Sequence, residues 1–381
     1  MSQSCPRPDP AIVPPALAWQ RAAHYFRQAA PAAQTPGGRL AAIAHPVLMA
    51  ASFGTAEQGT GARPVRRSSI TEDGTPVIYS FKDTREPGGP AFRCVVEPGG
   101  YAVRTDEQIQ RAVHCLEELC GALGWHRAAQ ESGLALAKLL PRPLTLARSW
   151  WGGIWLGIDA APEAFRLKAY VNLRPHEPGQ RWQMAQALAA QLDADLVAND
   201  TIAGAGNIPL MGVGLAIEAD RICAVRLYFG LDQATPQSVG RLAGEFDPDA
   251  RLAIELFARE FTASFGAFSH QSVAICLDYP VSAQGRLAAR AARFKLELCA
   301  EMLAPETRCQ VLSWYRLVLP RLGLADSLSV SKADQARSIF GGLLAKYVSL
   351  GVTRSGECST TLYAHPMGLR LEDGLIEEIA S

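Results

Sequence analysis

The feature that most constrains this chain is a recurring order of predicted elements, in which two strands alternate with two helices. Stretches such as "AFRLKAYVNL" and "ICAVRLYFGL" are second strands of such pairs, and "TDEQIQRAVHCLEELCGALG" is one of the helical stretches between pairs. The order occurs five times, although the units share almost no sequence. Strands that follow one another directly along a chain usually pair antiparallel. The sequence therefore predicts an antiparallel sheet of ten strands built from repeated units.

Five units of this kind can close into one barrel, because closure removes both exposed edges of the sheet. Ten strands make a wider barrel than eight, whose interior side chains just fill it, so we expect a central chamber. The predicted fold class is α+β, a ten-stranded antiparallel β-barrel of five ααββ units with the helices outside. Residues 11–381 would form this single domain after a disordered segment at residues 1–10. The helices expected within residues 11–52 are candidates for capping the barrel.

The composition excludes several classes of protein. The chain has 37 basic and 37 acidic residues, so it lacks the net charge of a protein that binds nucleic acid or an anionic membrane over a broad surface. The most apolar stretch, residues 40–54, is too short to span a bilayer, and the N-terminus lacks a secretory signal. Nine scattered cysteines without a C-x-x-C motif indicate reduced thiols. We expect a cytoplasmic protein.

Each second strand has one face that does not resemble a core face. In "FRLKAYVNL", Phe165 and Leu167 point to one side while Lys168 and Tyr170 point to the other. A single face of this kind is usually solvated, but here it recurs on every second strand. If helices cover the outside, these faces line the chamber. The other polar members are Arg93, Glu97, Arg166, Asn172, Arg226, Tyr228, Arg293, Lys295, Glu297, Ser359, Thr361, Tyr363 and His365.

The chemistry of this predicted lining suits an anion that is joined to a hydrocarbon. Arginine and lysine bind phosphate oxygens through charge-assisted hydrogen bonds. Aromatic rings stabilise a carbocation through their quadrupoles, and the carboxylate of Glu97 is placed to act as a general base. The chain contains neither the D-D-x-x-D element that binds diphosphate through Mg²⁺ nor histidines with metal-ligand spacing. We therefore expect no metal ligands and no requirement for Mg²⁺ or another cofactor.

Several stretches resemble the strands of the ABBA-type aromatic prenyltransferases, and most closely the dimethylallyltryptophan-synthase type with its bacterial indole-prenylating relatives. These stretches are "PVIYSFKD", "FRCVVEPGG", "LKAYVNLRP", "VRLYFGL" and "YVSLGVTRSGECSTTLYAHP", within residues 70–366. The resemblance implies the PT barrel and an enzyme of secondary metabolism. Such an enzyme transfers an allylic group, with dimethylallyl expected, from its diphosphate to an electron-rich ring. Tryptophan or another indole is the expected acceptor.

The resemblance also assigns roles to individual residues. Glu97 matches the glutamate that accepts the indole N–H proton, and Arg104 matches an early diphosphate-binding arginine. The other residues matched to binding of the prenyl diphosphate are Lys168, Tyr170, Arg226, Tyr228, Lys295 and Tyr363. The chain departs from the family at Glu297, where an aromatic or amide side chain is more common, and at Ser359, where a second tyrosine is common.

Two alternatives remain open at this stage. The same barrel could prenylate a side chain of a ribosomal, cyanobactin-like peptide, or it could bind an anionic lipid without catalysis. The expected partners are thus a prenyl diphosphate and an aromatic small molecule or peptide, with no nucleic acid and no membrane. The tryptophans of "SWWGGIW", residues 149–155, either pack in the core or stack on the acceptor. The acceptor, the ring position attacked, the donor chain length and the oligomeric state are not determined by the sequence.

Overall fold

The strands close into a single antiparallel barrel, in which the first strand pairs with both the second and the last. This computed structural model describes residues 15–53, 76–84, 92–99, 105–140, 153–193, 208–269, 272–324 and 328–366. Ten strands lie within these ranges, and each pairs with its neighbours along the chain. The predicted ten-stranded barrel is confirmed.

Odd-numbered strands run toward one end of the barrel and even-numbered strands return, because every pair is antiparallel. Their bounds are β1 Val77–Thr84, β2 Phe92–Val96, β3 Ile154–Ala161, β4 Ala164–Asn172, β5 Leu210–Glu218, β6 Arg221–Leu231, β7 Val273–Pro280, β8 Arg293–Cys299, β9 Leu343–Thr353 and β10 Cys358–Pro366. The even strands thus all end at the same end of the barrel.

Helices stand between successive strand pairs. Their bounds are α1 Pro15–Ala29, α2 Pro36–Phe53, α3 Thr105–Ala122, α4 His126–Leu139, α5 Pro178–Gln191, α6 Pro236–Phe246, α7 Ala250–Phe265, α8 Pro305–Val318 and α9 Leu328–Phe340. Between β4 and β5, residues 194–207 lie outside the described part. The start of α6 shows how the sequence sets a helix end: the Thr235 hydroxyl accepts the Ser238 N–H at 3.1 Å, and Pro236 follows the cap.

The apolar faces of the even strands point outward and pack under the helices. Three pairs of rings join helices or their caps to strands: Trp125 to Phe165, Trp182 to Phe229 and Phe246 to Phe294, with centroids 5.9, 5.9 and 6.0 Å apart. Because side chains alternate along a strand, the residues next to these phenylalanines face the interior. Fully burying one such ring stabilises the fold by about 1.5–3 kcal/mol.

Helices α1 and α2 pack beside the barrel wall. The Tyr25 ring lies 4.8 Å from the Tyr79 ring. The Gly37 N–H donates to the Pro162 carbonyl at 2.9 Å, next to the turn between β3 and β4. At the other end of α2, the Ala51 carbonyl accepts the Gly99 N–H at 2.8 Å. These contacts lie on the outer side of the wall, where the helix pair of a first ααββ unit belongs.

None of the described helices combines the length and the apolar character that a membrane-spanning segment needs. Cys94, Cys115 and Cys120 are buried free thiols. Burial raises the pKa of the Cys115 thiol to about 12, which keeps it protonated and unreactive at neutral pH.

Candidate active site

The inward side chains of the even strands change in character along the barrel axis. On β2, Arg93 is followed by Val95 and then by Glu97 just past the strand, with about 6.7 Å between successive inward residues. On β4 and β6 the inward residue after the cation is instead a tyrosine: Tyr170 follows Lys168, and Tyr228 follows Arg226. The interior therefore has a basic end and an aromatic middle.

Asp159 on β3 connects two cations at the basic end. Its carboxylate accepts from Arg93 Nε at 2.6 Å and from Lys168 Nζ at 2.5 Å. Burial alone would raise the pKa of Asp159, but Arg93 and Lys168 outweigh it and hold that pKa well below its usual range. Burial, Arg93 and Arg226 lower the pKa of Lys168, whose side chain is only 2 % exposed. One carboxylate thus serves two cations.

A second carboxylate binds a cation on the opposite side of the basic end of the interior. Asp278 on β7 lies in register between Arg226 on β6 and Arg293 on β8, and it accepts from Arg226 Nε at 3.0 Å. Burial would raise the pKa of Asp278, but Arg226 outweighs this effect and lowers that pKa below its usual value. The carboxylate therefore stays ionised. Burial and the nearby arginines lower the pKa of the Arg293 guanidinium from its very high usual value.

Lys82 on β1 completes the set. Burial lowers the pKa of Lys82 to about 7, and the Arg293 and Arg93 guanidiniums lower it as well. We call Lys82, Arg93, Lys168, Arg226 and Arg293 the basic cluster. Only Asp159 and Asp278 are ion-paired with its members among the described residues. The cluster therefore has an excess of positive charge in an enclosed interior, which favours the binding of an anion.

Lys295 differs from the basic cluster, because its charge is balanced. Its Nζ contacts the Glu297 carboxylate on the same strand face and donates to the Tyr363 hydroxyl at 2.6 Å. The ammonium also lies 4.8 Å from the centroid of the Tyr363 ring. Burial would lower the pKa of Lys295, but Glu297 raises it above the usual value.

Next to these groups lies a cavity of about 190 Å³. Four tyrosines line it in two edge-to-face pairs: Tyr170 with Tyr228, centroids 6.1 Å apart, and Tyr347 with Tyr363, 6.4 Å apart. A cavity of roughly 150 Å³ is enough to hold benzene. This one therefore has room for an aromatic ring system. Its other lining residues are Ile78, Val95, Trp155, Val171, Asn172, Arg174, Met211, Gly212, Val213, Ser272, Ala274, Glu297, Cys299 and Lys346.

Glycine on β5 makes room for one of these tyrosine pairs. A Cβ atom at Gly214 would lie 3.3 Å from ring carbons of both Tyr170 and Tyr228. That distance is shorter than ordinary van der Waals contact, so a larger residue would require the rings to move by a few tenths of an ångström. Glycine at this position therefore lets both rings lie close to β5.

The structure brings most of the predicted site residues together. Tyr170, Tyr228 and Tyr363 line the cavity, Lys168 and Arg226 belong to the basic cluster, and Lys295 touches Tyr363. Glu97 is completely buried just past β2, two residues after the cavity-lining Val95, but it is not itself among the lining residues. Arg104 lies outside the described residues.

Trp155 is the described member of the tryptophan stretch, while Trp150 and Trp151 lie outside the described residues. It lines the cavity and pairs in register with Tyr170. Its indole Nε1 is buried without a hydrogen-bond partner among the described residues. Of the two open possibilities, contact with the acceptor is therefore the better supported for this residue.

Sequence reasoning missed Lys82, Asp159, Asp278 and Tyr347, which all lie on odd-numbered strands. The polar faces predicted from the period-two pattern belong only to the second strand of each pair. Applied to "VIYSFKDT" or "VAICLDYP", the same rule places Lys82 or Asp278 on an inward face. Among the described residues, no three His, Cys, Asp or Glu side chains are arranged to hold a metal ion.

No protein-family model matches the sequence, and no curated protein matches it significantly. Solved structures do match. The 5-dimethylallyltryptophan synthase from Streptomyces coelicolor has a TM-score of 0.65 at 18% identity, over 90% of this chain and 100% of its own. The apo form of prenyltransferase PriB has a TM-score of 0.69 at 17% identity, over 96% and 99%.

A third match is the 6-dimethylallyltryptophan synthase from Micromonospora olivasterospora, solved with DMASPP and Trp. It has a TM-score of 0.68 at 16% identity and covers 96% of this chain and 100% of its own. At such identities the likeness concerns the fold. The chain has the ABBA fold, the PT barrel of these prenyltransferases, over nearly its whole length.

Proposed function

We propose that this protein is an aromatic prenyltransferase that moves a dimethylallyl group from its diphosphate to an indole, with tryptophan as the first candidate. One observation carries the proposal: a basic cluster, four tyrosines and a cavity for an aromatic ring follow one another along the inside of this barrel. Two of the structures with the same fold are dimethylallyltryptophan synthases. In this order the basic cluster would bind the diphosphate, the tyrosines would surround the prenyl group, and the cavity would hold the aromatic acceptor.

In the first step, the carbon–oxygen bond of the donor breaks and its electron pair leaves with the diphosphate. Negative charge then grows on the leaving oxygens, where Lys168, Arg226 and Lys295 would stabilise it. Because these cations are already fixed in the interior, they supply the charge that Mg²⁺ supplies in other enzymes. We therefore propose that the reaction needs no metal.

The second step concerns the allyl cation. The rings of Tyr170, Tyr228 and Tyr363 would face it, stabilise it through their quadrupoles and exclude water. The T-shaped contact of Tyr170 with Tyr228 and the bond from Lys295 to Tyr363 hold these rings in place.

In the third step, a carbon of the acceptor ring attacks the cation and forms the new carbon–carbon bond. Positioning the ring against the cation supplies much of the rate. Glu97 would accept a hydrogen bond from the indole N–H, take its proton and so stabilise the positive charge that develops on the indole nitrogen. The released diphosphate or water would then take the ring proton, and the electron pair of that carbon–hydrogen bond would return to the ring, which restores aromaticity.

The test is a mass-spectrometric assay with dimethylallyl diphosphate and a panel of tryptophan, other indoles, phenols and short peptides, in buffer containing EDTA. We expect tryptophan or another indole to gain the mass of one isoprene unit. A product only with peptides would move the proposal to a peptide acceptor. No product with any acceptor, even with longer donors, would refute an enzyme of this class, and loss of product in EDTA would refute metal independence.

A further inference from the structure

We propose that Glu297 recognises a hydroxyl group on the aromatic acceptor, which makes a ring-hydroxylated indole a better substrate than the unsubstituted ring. The sequence assigned no role in catalysis or donor binding to this residue. The kind of reaction rests on the proposed function, whereas the contact between Glu297 and a hydroxyl group can be measured by binding alone.

The charge of Glu297 sets it apart from the rest of the cavity wall. Among the described residues that line the cavity, it is the only acidic one. The other charged lining residues, Arg174 and Lys346, are cations. Ala274 and Ser349 lie beside Glu297 in register on the two neighbouring strands, and both are small. These small neighbours leave the carboxylate accessible to a polar group of a molecule in the cavity.

One oxygen of this carboxylate has room for a further donor. Oε1 of Glu297 contacts Lys295 Nζ, whereas none of the described residues donates a hydrogen bond to Oε2. Asp159 shows that a carboxylate in this interior can serve two donors, because its Oδ1 accepts from Arg93 and its Oδ2 from Lys168. The Glu297 side chain is 14 % exposed and lines the cavity. A ligand there can therefore supply the second donor.

The surroundings of Glu297 favour a neutral donor. Lys295 already balances the charge of the carboxylate, and it also donates to the Tyr363 hydroxyl at 2.6 Å, which holds the pair in place. A second cation here would oppose the allyl cation expected beside Tyr363, because like charges repel strongly in an enclosed interior. A hydroxyl group donates the same hydrogen bond without adding charge. The chemistry of the site therefore selects a hydroxyl over an ammonium group.

The position of β8 indicates which edge of the acceptor carries the hydroxyl. Around the closed wall, β8 lies four strands from β2, after which Glu97 follows, and five strands from β3, which carries Trp155. In a barrel of ten strands, these positions are nearly or directly opposite. An indole whose N–H points to Glu97 therefore turns its benzenoid ring toward Glu297. The hydroxyl group belongs on that ring.

The experiment measures kcat/KM for indole, for the hydroxyindoles with the hydroxyl at each benzenoid carbon, and for their methyl ethers. In the wild type we expect at least one hydroxyindole to exceed indole by about ten- to a hundredfold, the range for a hydrogen bond to a charged group. Its methyl ether cannot donate and should lose this advantage. Glu297→Gln should reduce the ratio by about fivefold or more, because an amide oxygen accepts more weakly than a carboxylate. The ratio cancels any effect of the substitution on donor binding through Lys295.

The matched control is Glu301→Gln. Glu301 also pairs with a lysine, Lys346, at 3.2 Å, and its side chain is likewise 14 % exposed. It is not among the described residues that line the cavity. The ratio of hydroxyindole to indole should therefore stay within about twofold of the wild type in this variant, because the substituted group does not touch the acceptor.

Calorimetric titration of the pyrophosphate-saturated protein with each hydroxyindole measures the same contact without turnover. Where Glu297→Gln fails to fold, the double variant Lys295→Gln with Glu297→Gln replaces it in this titration, since removing both partners leaves no uncompensated charge. In either variant we expect affinity for the favoured hydroxyindole to fall by about fivefold or more.

The outcomes separate this inference from the proposed function. Transfer to indole with no advantage for any hydroxyindole, or with an advantage that Glu297→Gln leaves unchanged, would overturn the inference and support the proposed function. Binding of a hydroxyindole that depends on Glu297, in a protein that prenylates no acceptor, would support the contact and refute the proposed function. Neither binding nor transfer would overturn both.

Discussion

Two carboxylates determine how the interior cations are arranged. Asp159 fixes Arg93 and Lys168, and Asp278 fixes Arg226, so cations that would otherwise repel one another share a small volume. Removing one partner of a buried ion pair is strongly destabilising, because the remaining charges stay buried without compensation. The stability of the empty protein should therefore depend on these two residues.

Asp159→Asn should lower the free energy of unfolding by about 3–5 kcal/mol, as measured by urea denaturation. The control is Asp193→Asn, which removes an exposed ion pair to Arg286 and should change that free energy by less than about 1 kcal/mol. Equal effects of the two substitutions would contradict the structural role given to Asp159.

Lys82 should make stability depend on pH. Its folded pKa of about 7 lies well below the unfolded value of about 10.4. Between these values the unfolded chain binds more protons, so the Lys82 contribution to stability increases with pH. Lys82→Met should therefore stabilise the empty protein most at pH 7 or below and less at pH 9. Urea denaturation of the wild type and the variant at both pH values measures the change in the free energy of unfolding. If this change is the same at pH 7 and pH 9, the charge of Lys82 does not destabilise the folded protein.

Glu97 should matter for transfer and not for donor binding. Glu97→Gln keeps the shape of the side chain but removes the carboxylate, so kcat should fall by about 10²–10⁴. Pyrophosphate affinity should remain within twofold, because the basic cluster is unchanged. Steady-state kinetics with the accepted indole and calorimetry provide the two measurements. An unchanged kcat would exclude Glu97 from the chemistry.

At the scale of strands and helices, the repeated order of two strands and two helices is enough to predict the barrel, and the alternation of side chains is enough to predict the inward faces of the even strands. The functional residues of the odd strands are harder to recognise in the sequence, because many inward residues of these strands are small. In "IWLGIDAA", Gly157 separates Trp155 from Asp159, and Gly351 interrupts the inward face of β9. Such strands look apolar on both faces. The small inward residues of the odd strands leave space for the large inward side chains of the neighbouring even strands.

Contacts between strands could not be predicted from one sequence. The bonds from Asp159 to Arg93 and Lys168 depend on the register of three strands, and a shift of one residue would turn every side chain to the other face. The contact of Lys295 with Glu297 is different, because residues two apart on one strand always share a face. The sequence departs from the family pattern at Glu297, and the structure shows that Lys295 is the partner of this carboxylate.

The outer faces of the strands should contribute stability without contributing to binding. Phe165 packs its ring edge-to-face against Trp125 on the side of β4 opposite to Lys168. Phe165→Ala should lower the free energy of unfolding by about 3–5 kcal/mol, measured in urea. The folded fraction should bind pyrophosphate within twofold of the wild type, and a larger loss would mean that the two faces of β4 are not independent.

At the scale of the whole molecule, the closed sheet joins the basic cluster to overall stability. The cations come from five different strands, so unfolding of the barrel disperses them and destroys the site. A ligand that binds only the folded state stabilises it by about 2.7 kcal/mol at a hundredfold excess over Kd. Pyrophosphate at that excess should shift the urea midpoint accordingly. Sodium chloride at equal ionic strength is the control, and equal shifts would indicate general screening instead of a site.

The pairing of β1 with β10 also has a consequence for how the protein matures in the cell. Tyr363 lies opposite Ser80 across this seam, so the two strands that seal the wall are separated by most of the described chain. During translation β1 and β2 are synthesised long before β10. The chamber cannot close before β10 has left the ribosome and paired with β1. The closed interior therefore cannot form until the final hairpin has been synthesised, and the edge of β1 that pairs with β10 stays unpaired until then.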